Sequence, residues 1–383
     1  MIVGVVGAGT MGAGIAQVAL EAGHEVVLHD VDAVAIERGR ARIRDGLERR
    51  AAKLGLDADS IDEWVGGRLV SLRDSVTLDG VAAATDLVIE AALEDLELKR
   101  TIFAALDREA PPTAILATNT SALSVDAIAD AVRSPGRVLG LHFFNPAPLM
   151  PLVEVVRGPR SEAAAVDAAV ARMEAWGKTP VTCADAPGFI VNRVNRPFTL
   201  EALAMLESGE ADLATIDAAI RDAGYPMGPF ELMDLTGLDV GLAATRAIHT
   251  AFAGRGDALA DRFRPSPVQE RLVAAGRLGR KAGVGFYGYD GPVEAAAVIA
   301  DPDAAIRARI VERIELAIVN EAHRALADGV ASREAIDLAL RLGAGHPVGP
   351  FERWAARGGS ATVLGGLARY AARGPRFAPA DGI

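Results

Sequence analysis

The chain has 383 residues, 50% of them apolar and 24% charged, which is ordinary globular usage at a length too great for one typical core, so two or three domains are expected. A formal net charge of −11 argues against nucleic-acid binding as the main role, because neutralising phosphates needs concentrated Lys and Arg; any anionic ligand must be held by local basic groups. The single Cys183 excludes an internal disulfide and fits a reducing compartment, no apolar run approaches a membrane span, and a first strand at residue 2 leaves no room for a targeting segment, so a cytoplasmic protein is expected.

Met1 to Val6 is short, apolar and rich in β-branched residues, and reads as a strand. It runs directly into Gly7-Ala8-Gly9-Thr10-Met11-Gly12, a tight turn and a helix start. Gly7 permits the turn, Gly9 lets backbone N–H groups approach a pyrophosphate, and Gly12 lets the helix pack closely on the strand. A second strand, Glu25 to His29, ends in Asp30, an acid that suits a ribose 2′-hydroxyl and repels a 2′-phosphate, so NAD is expected over NADP. The plainer alternative makes Asp30 the cap of the helix that follows.

Between Asp32 and Trp64 a long polar helix carries Arg38, Arg40, Arg42, Arg44, Arg49, Arg50 and Lys53, and a shorter helix follows. It reads either as a solvated face or as a basic arm, at about residues 32–66, for an anionic substrate tail. Further strands are expected at Asp86 to Ile89, Ala114 to Ala117, Arg137 to Leu141, Leu152 to Val156 and Pro180 to Thr182. This alternation predicts a mostly parallel sheet covered on both faces, with the active crevice at the carboxyl ends of its strands.

In Leu141-His142-Phe143-Phe144-Asn145-Pro146 a histidine is followed twelve residues later by Glu154. A neutral imidazole can take a proton from an alcohol, and a carboxylate can hold its tautomer and stabilise the resulting cation. An isolated histidine with apolar neighbours is as easily a core group, but an unpaired carboxylate in the strand Leu152 to Val156 would be expensive, so Glu154 is expected to have a buried partner.

At Asp185-Ala186-Pro187-Gly188 the strands stop and helical segments begin, which marks a domain boundary. The helical part repeats itself. Gly224-Tyr225-Pro226-Met227-Gly228-Pro229-Phe230-Glu231 returns 121 residues later as Gly345-His346-Pro347-Val348-Gly349-Pro350-Phe351-Glu352. Glu201-Ala202, Leu206, Gly209 and Ile216-Asp217 match Glu321-Ala322, Leu326, Gly329 and Ile336-Asp337 at a separation of 120. The expected fold is an α/β Rossmann-type dinucleotide-binding domain over 1–185, then an all-α domain over 186–295 and a second, degenerate copy of it over 296–383. Only the first copy has the segment Pro187-Gly188-Phe189-Ile190-Val191-Asn192-Arg193 before it, so the second is expected to serve packing rather than chemistry.

With these residues laid out, the chain resembles the 3-hydroxyacyl-CoA dehydrogenase family over nearly its full length. The motifs are GAGTMGAGIA at 7–16, VIEAALEDLELKR at 88–100, TNTSAL at 118–123, LHFFNPAPLMPLVEVV at 141–156, PGFIVNR at 187–193, YPMGPFELMDLTGLD at 225–239 and GRKAGVGFYGY at 279–289. Doubled carboxy-terminal domains occur in members similar to 3-hydroxybutyryl-CoA and 3-hydroxyadipyl-CoA dehydrogenase. The resemblance implies reversible NAD-dependent oxidation of an L-3-hydroxyacyl-CoA, short-chain or dicarboxylic, to the 3-ketoacyl-CoA, with no metal. His142 matches the general base and Glu154 its partner, while Ser121 and Asn192 match the groups that orient the substrate oxygens. Gly7, Ala8, Gly9, Thr10, Met11, Gly12, Asp30, Glu94, Lys99, Ser121, Asn145 and Lys281 match cofactor contacts, and Lys53 matches a coenzyme A contact on the arm. By themselves Ser121 reads equally well as a helix cap, Asn192 as a cap or a helix-surface amide, and Lys99 and Lys281 as surface lysines.

The chain departs from the family pattern at Gly46, where a serine often helps hold coenzyme A, and at Ala122, Thr118 and Pro151. Two other classes compete. A β-hydroxyacid dehydrogenase would use a lysine on the interdomain helix, and there is none from Thr199 to Gly224; a non-catalytic NAD-binding protein of crystallin type would not need His142, Glu154, Ser121 and Asn192. The single-copy members pair through the helical domain, so the second copy is expected to fold back on the first and cover that surface, leaving a monomer, or a homodimer through other surfaces.

Overall fold

Among the described residues eight strands build one sheet: β1 (Ile2–Val6), β2 (Glu25–His29), β3 (Leu72–Ser75), β4 (Leu87–Glu90), β5 (Ile115–Thr118), β6 (Val138–Phe143), β7 (Leu152–Arg157) and β8 (Thr179–Ala184). Their order across the sheet is β3-β2-β1-β4-β5-β6-β7-β8, and every neighbouring pair is parallel except β6 with β7. The direction of travel reverses between β1 and β4, the topological switch point at which such sheets bind nucleotides. All four residues of β4 and of β5 are buried, as expected of strands covered on both faces.

In the computed structural model, which describes residues 1–83, 85–289 and 304–383, the sheet belongs to the first of two compact units, Met1–Ala186 and Pro187–Ile383. Seven helices accompany it: α1 (Thr10–Glu21), α2 (Ala33–Lys53), α3 (Ala58–Leu69), α4 (Leu78–Ala82), α5 (Leu96–Glu109), α6 (Val125–Ala129) and α7 (Ala163–Ala175). The core of this unit joins Val3, Val5, Ile15, Leu28, Ile43, Leu87, Ile89, Leu139 and Val155.

Strand β3 is not among the expected ones. Its sequence, Leu-Arg-Asp-Ser, buries only Leu72, so no apolar run announces it. It is an edge strand held by its register on β2 and by the Arg73–Glu25 and Arg40–Asp74 ion pairs at 2.7 and 2.8 Å.

Helices α2 and α3 form the arm. Asp32 caps α2 by accepting from Ala35 N, and the buried stripe Ile36, Ile43, Leu47 and Ala51 leaves Arg38, Arg42, Arg44, Arg49, Arg50 and Lys53 exposed. Gly46 lies inside this packing. A Cβ there would overlap the buried Gln17 side chain of α1, whose amide donates to Glu21 at 2.7 Å. The departure at 46 therefore belongs to the close approach of α1 and α2 rather than to the exposed basic face.

The second unit is helical: α8 (Val191–Val194), α9 (Arg196–Glu207), α10 (Leu213–Asp222), α11 (Pro229–Thr236), α12 (Leu238–Gly254), α13 (Pro267–Ala274), α14 (Ala304–Ala327), α15 (Arg333–Ala344), α16 (Pro350–Ala356) and α17 (Ser360–Tyr370). The expected boundary between the two helical copies, at 295/296, lies outside the described residues.

The repeated Gly-Pro-Phe-Glu motif is one local device used twice. Glu231 accepts from Gly228 N while Asp217 accepts from Phe230 N and Glu231 N, and Glu352 and Asp337 do the same for Gly349, Phe351 and Glu352. The copies also exchange partners. Arg193 pairs with Glu321 and Arg313 with Glu201, each at 2.7 Å, and the rings of Tyr225 and His346 meet edge to face at 5.1 Å. A contact in which residue i meets j while the equivalent of i meets the equivalent of j is the signature of a two-fold interface, here within one chain. Among the described residues no helix is long and apolar enough to cross a membrane.

Candidate active site

The one antiparallel pair in the sheet creates the dyad. Only eight residues separate Phe143 from Leu152, too few for a crossover to a parallel neighbour, so the chain turns back and the register sets His142 directly opposite Glu154. Directly opposed side chains on one face are in contact range, and a slip of one residue would turn Glu154 to the other face. His142 Nδ1 lies 2.6 Å from Glu154 Oε2, with His142 4% exposed and Glu154 fully buried. The carboxylate accepts the Nδ1 proton, which leaves Nε2 as the basic nitrogen. Ser121 Oγ stands 3.0 Å from that Nε2.

Ser121 reaches Nε2 because its loop is held from both sides. Glu94 Oε1 accepts from Thr120 Oγ1, Ser121 N and Ala122 N at 2.6, 2.9 and 3.1 Å. Asn119 Oδ1 accepts from Phe143 N at 2.8 Å, stitching the end of β5 to β6. The cap of α6 is Ser124, which accepts from Ala127 N, so Ser121 does not serve as the cap.

Beneath the loop, Glu90 closes β4 with its side chain fully buried. It accepts from Lys99 Nζ at 2.6 Å, from Thr118 Oγ1 at 2.7 Å and from Ala92 N at 2.7 Å. Lys99 is 1% exposed and also lies 3.5 Å from Glu94, so it is not a surface lysine; its ammonium is the shared counter-ion of two carboxylates. Glu90 is not among the residues expected from the sequence, although its signal, a carboxylate in an apolar strand, is the one that points to Glu154.

The glycine turn has the shape a dinucleotide requires. Gly7 has φ +101°, and a Cβ there would stand 2.6 Å from the Ala91 carbonyl oxygen; a Cβ on Gly12 would overlap the Gly7 carbonyl. A Cβ on Gly9 would meet nothing within 4 Å, and as the N-cap of α1 Gly9 brings no side-chain oxygen to the first-turn N–H groups. An open, anion-favouring helix end results, with Gly9 and Thr10 exposed, Met11 half-buried and Ala8 buried. Asp30 accepts from Ala8 N at 2.8 Å and Val31 N at 2.7 Å, and it is Asp32 that caps α2. These residues fit NAD.

Asn145 is exposed at the end of β6. The loop after it is tied down by Lys178, whose Nζ donates to the carbonyls of Ala147 and Met150 at 2.6 and 3.0 Å, and burial lowers the pKa of that ammonium. Lys178 was another residue the sequence did not single out.

In the helical unit, Asn192 sits on α8, and Lys281 donates to both oxygens of Asp239 at 2.6 and 2.7 Å. Asp234, 1% exposed, accepts from Phe286 N, Tyr287 N and the Tyr289 hydroxyl and so organises the segment that follows Lys281. Lys53 is exposed at the last turn of α2.

Comparison with known proteins agrees with this architecture. The family model of the 3-hydroxyacyl-CoA dehydrogenase NAD binding domain matches residues 2–186, and that of the C-terminal domain matches 188–289 and 310–380. The chain is 39% identical to the 3-hydroxyadipyl-CoA dehydrogenase of Escherichia coli (strain K12), over 94% of this chain and 92% of the relative. It is 43% identical to the mitochondrial hydroxyacyl-coenzyme A dehydrogenase of Rattus norvegicus, over 74% of this chain and 90% of that one. The crystal structure of 3-hydroxybutyryl-CoA dehydrogenase from Escherichia coli K12 superposes with a TM-score of 0.88 at 36% identity, covering 100% of this chain and 97% of the other. With a Rossmann-type NAD-binding unit and a helical unit that both match its models, the chain belongs to the 3-hydroxyacyl-CoA dehydrogenase family of oxidoreductases.

Proposed function

We propose that this enzyme oxidises an L-3-hydroxyacyl-CoA to the 3-ketoacyl-CoA, with His142 as the general base. The observation that carries the reading is the Ser121–His142–Glu154 chain, with 3.0 Å on one side of the imidazole and 2.6 Å on the other. Bound at the glycine turn, NAD supplies the acceptor for the hydride that leaves C3. Loss of hydride from an alcohol carbon would leave a protonated carbonyl, so the hydroxyl proton must go to a base, and His142 Nε2 takes it. Glu154 stabilises the imidazolium that forms and keeps Nε2 as the reacting nitrogen. Ser121 and Asn192 orient the substrate oxygens and supply donors where charge develops.

Gly7, Ala8, Gly9, Thr10, Met11 and Gly12 cradle the pyrophosphate and Asp30 takes the ribose hydroxyls, with Glu94, Ser121, Asn145 and Lys281 as further contacts. Lys99, expected as a cofactor contact in its own right, is proposed instead to serve the cofactor through Glu94, 3.5 Å from its ammonium. On the arm, Lys53 and the exposed arginines around it hold the anionic end of coenzyme A. The acyl group is short-chain or dicarboxylic, a reading supported by the names of relatives that match nearly the whole chain.

The division into 1–185, 186–295 and 296–383 is part of the same proposal, as are a cytoplasmic location and a second copy that covers the pairing surface of the first. The exchanged Arg–Glu pairs support the last point. Light scattering tests it, and a dimer joined through residues 189–290 of both chains would refute it.

Steady-state NADH turnover across acetoacetyl, longer-chain and dicarboxylic 3-hydroxyacyl-CoA pairs, each assayed in the direction it requires, tests the function. Turnover of thioesters with no activity on free hydroxy acids is expected. Activity on free acids alone, or none at all, would overturn this reading.

A further inference from the structure

Helix α8, which carries Asn192, is four residues long. One residue, Asn195, separates it from α9, which anchors its carboxyl end, whereas no helix precedes its amino end. It also follows a costly turn: Gly188 has φ +76° and Phe189 φ +48°, the latter in the left-handed region that side chains disfavour. A segment of this kind holds its geometry only where its surroundings over-determine it.

Arg193, the residue after Asn192, contributes to that constraint. It is 1% exposed; its Nε donates to Glu321 Oε1 at 2.7 Å and its terminal nitrogen to Asp328 Oδ2 at 2.6 Å. Arg262 holds the other oxygen of Glu321 at 2.9 Å, and both guanidinium groups lie over the Phe252 ring. Glu321 and Asp328 come from α14 and the residue following it, in the second helical copy.

We propose that Glu321 is a positioning residue for the reaction: by fixing Arg193 it holds α8 in the orientation in which Asn192 meets the substrate, so the second copy braces a site residue carried by the first. The inference rests on Asn192 acting on the substrate oxygens. Its strength is that the molecule contains a matched control. The repeat exchanges Arg193–Glu321 with Arg313–Glu201, also 2.7 Å and equally buried, and Glu201 too is held by a second arginine, Arg376. Around Arg313 the helix is continuous from Ala304 to Ala327, and the position equivalent to Asn192 is Glu312. One of two near-identical ion pairs therefore braces a site residue and the other does not.

In the full chain, Glu321→Gln and Glu201→Gln are expected to lower Tm alike. Glu321→Gln is expected to lower kcat for the hydroxyacyl-CoA by about tenfold or more with Kd for NADH unchanged, while Glu201→Gln keeps the parental kcat. In an Asn192→Ala background Glu321→Gln should cost no further kcat, because it acts through the same amide. If Asn192→Ala alone leaves kcat/KM intact, the role of Asn192 fails and the proposal with it. If Asn192→Ala is impaired but Glu321→Gln and Glu201→Gln turn over equally well, the proposal alone is overturned. Should Glu321→Gln not fold, Asp328→Asn against Glu210→Gln, the outer acids on Arg193 and Arg313, decides by the same comparison.

Discussion

The His142–Glu154 pair separates charge from shape at the level of single side chains. Glu154→Gln keeps an oxygen that can accept the Nδ1 proton at 2.6 Å, so the imidazole should stay in place, but it removes the charge that stabilises the imidazolium. We expect kcat to fall by about 10²-fold while Kd for NADH is unchanged, measured by stopped turnover and by fluorescence titration. His142→Gln should fall further, and undiminished kcat in either variant would remove the dyad from the mechanism. Both residues were legible in the sequence because a carboxylate in an apolar strand needs a partner. Glu90 obeys the same rule with Lys99 and Thr118, yet it was missed, since nothing in linear spacing shows that Lys99, nine positions on, turns inward. Lys178 was invisible for a related reason: it contacts two backbone carbonyls, and those leave no trace in the residue types around them.

At the scale of the elements, the strand–turn–helix at the start of the chain carries two kinds of glycine. Gly12 is glycine because the fold has no room, a Cβ there overlapping the Gly7 carbonyl; Gly9 is glycine where the fold leaves room, with nothing within 4 Å of a Cβ. Gly9→Ala should therefore fold with an unchanged Tm and bind NAD about tenfold more weakly, a loss of about 1.4 kcal/mol, because the added methyl occupies pyrophosphate space. Gly12→Ala should lower Tm as well, by displacing the turn itself. Paired melting curves and NADH titrations check this, and a Gly9→Ala protein that binds NAD normally would put the cofactor elsewhere. Strands rich in Val, Ile and Leu were readable for the same reason the core forms. Strand β3 was not, because an edge strand with an exposed Arg73 and Asp74 owes its state to pairing with β2 rather than to its own composition.

Over the whole molecule, the internal repeat announced two helical copies, but only the structure shows that they meet as a two-fold pair, with residues 120 apart exchanging partners. At the centre of that contact the symmetry is broken in one chemical respect: Tyr225 faces His346. His346 Nε2 donates to Asn195 Oδ1 at 2.8 Å, which satisfies a neutral ring, and burial together with the nearby Arg353 pushes the imidazole down from 6.5 to about 3. The unfolded chain takes up this proton near pH 6.5 and the folded chain does not, so the residue costs nothing above that pH and progressively destabilises the fold as pH falls from 6.5 towards 3. By pH 5.5 the cost is about 1.4 kcal/mol, enough to lower Tm by a few degrees. His346→Gln keeps a donor for Asn195 and cannot titrate, so its Tm, relative to the parent, should rise between pH 7.5 and 5.5. Parallel shifts of the two proteins across that range would show that the copies separate without regard to this histidine.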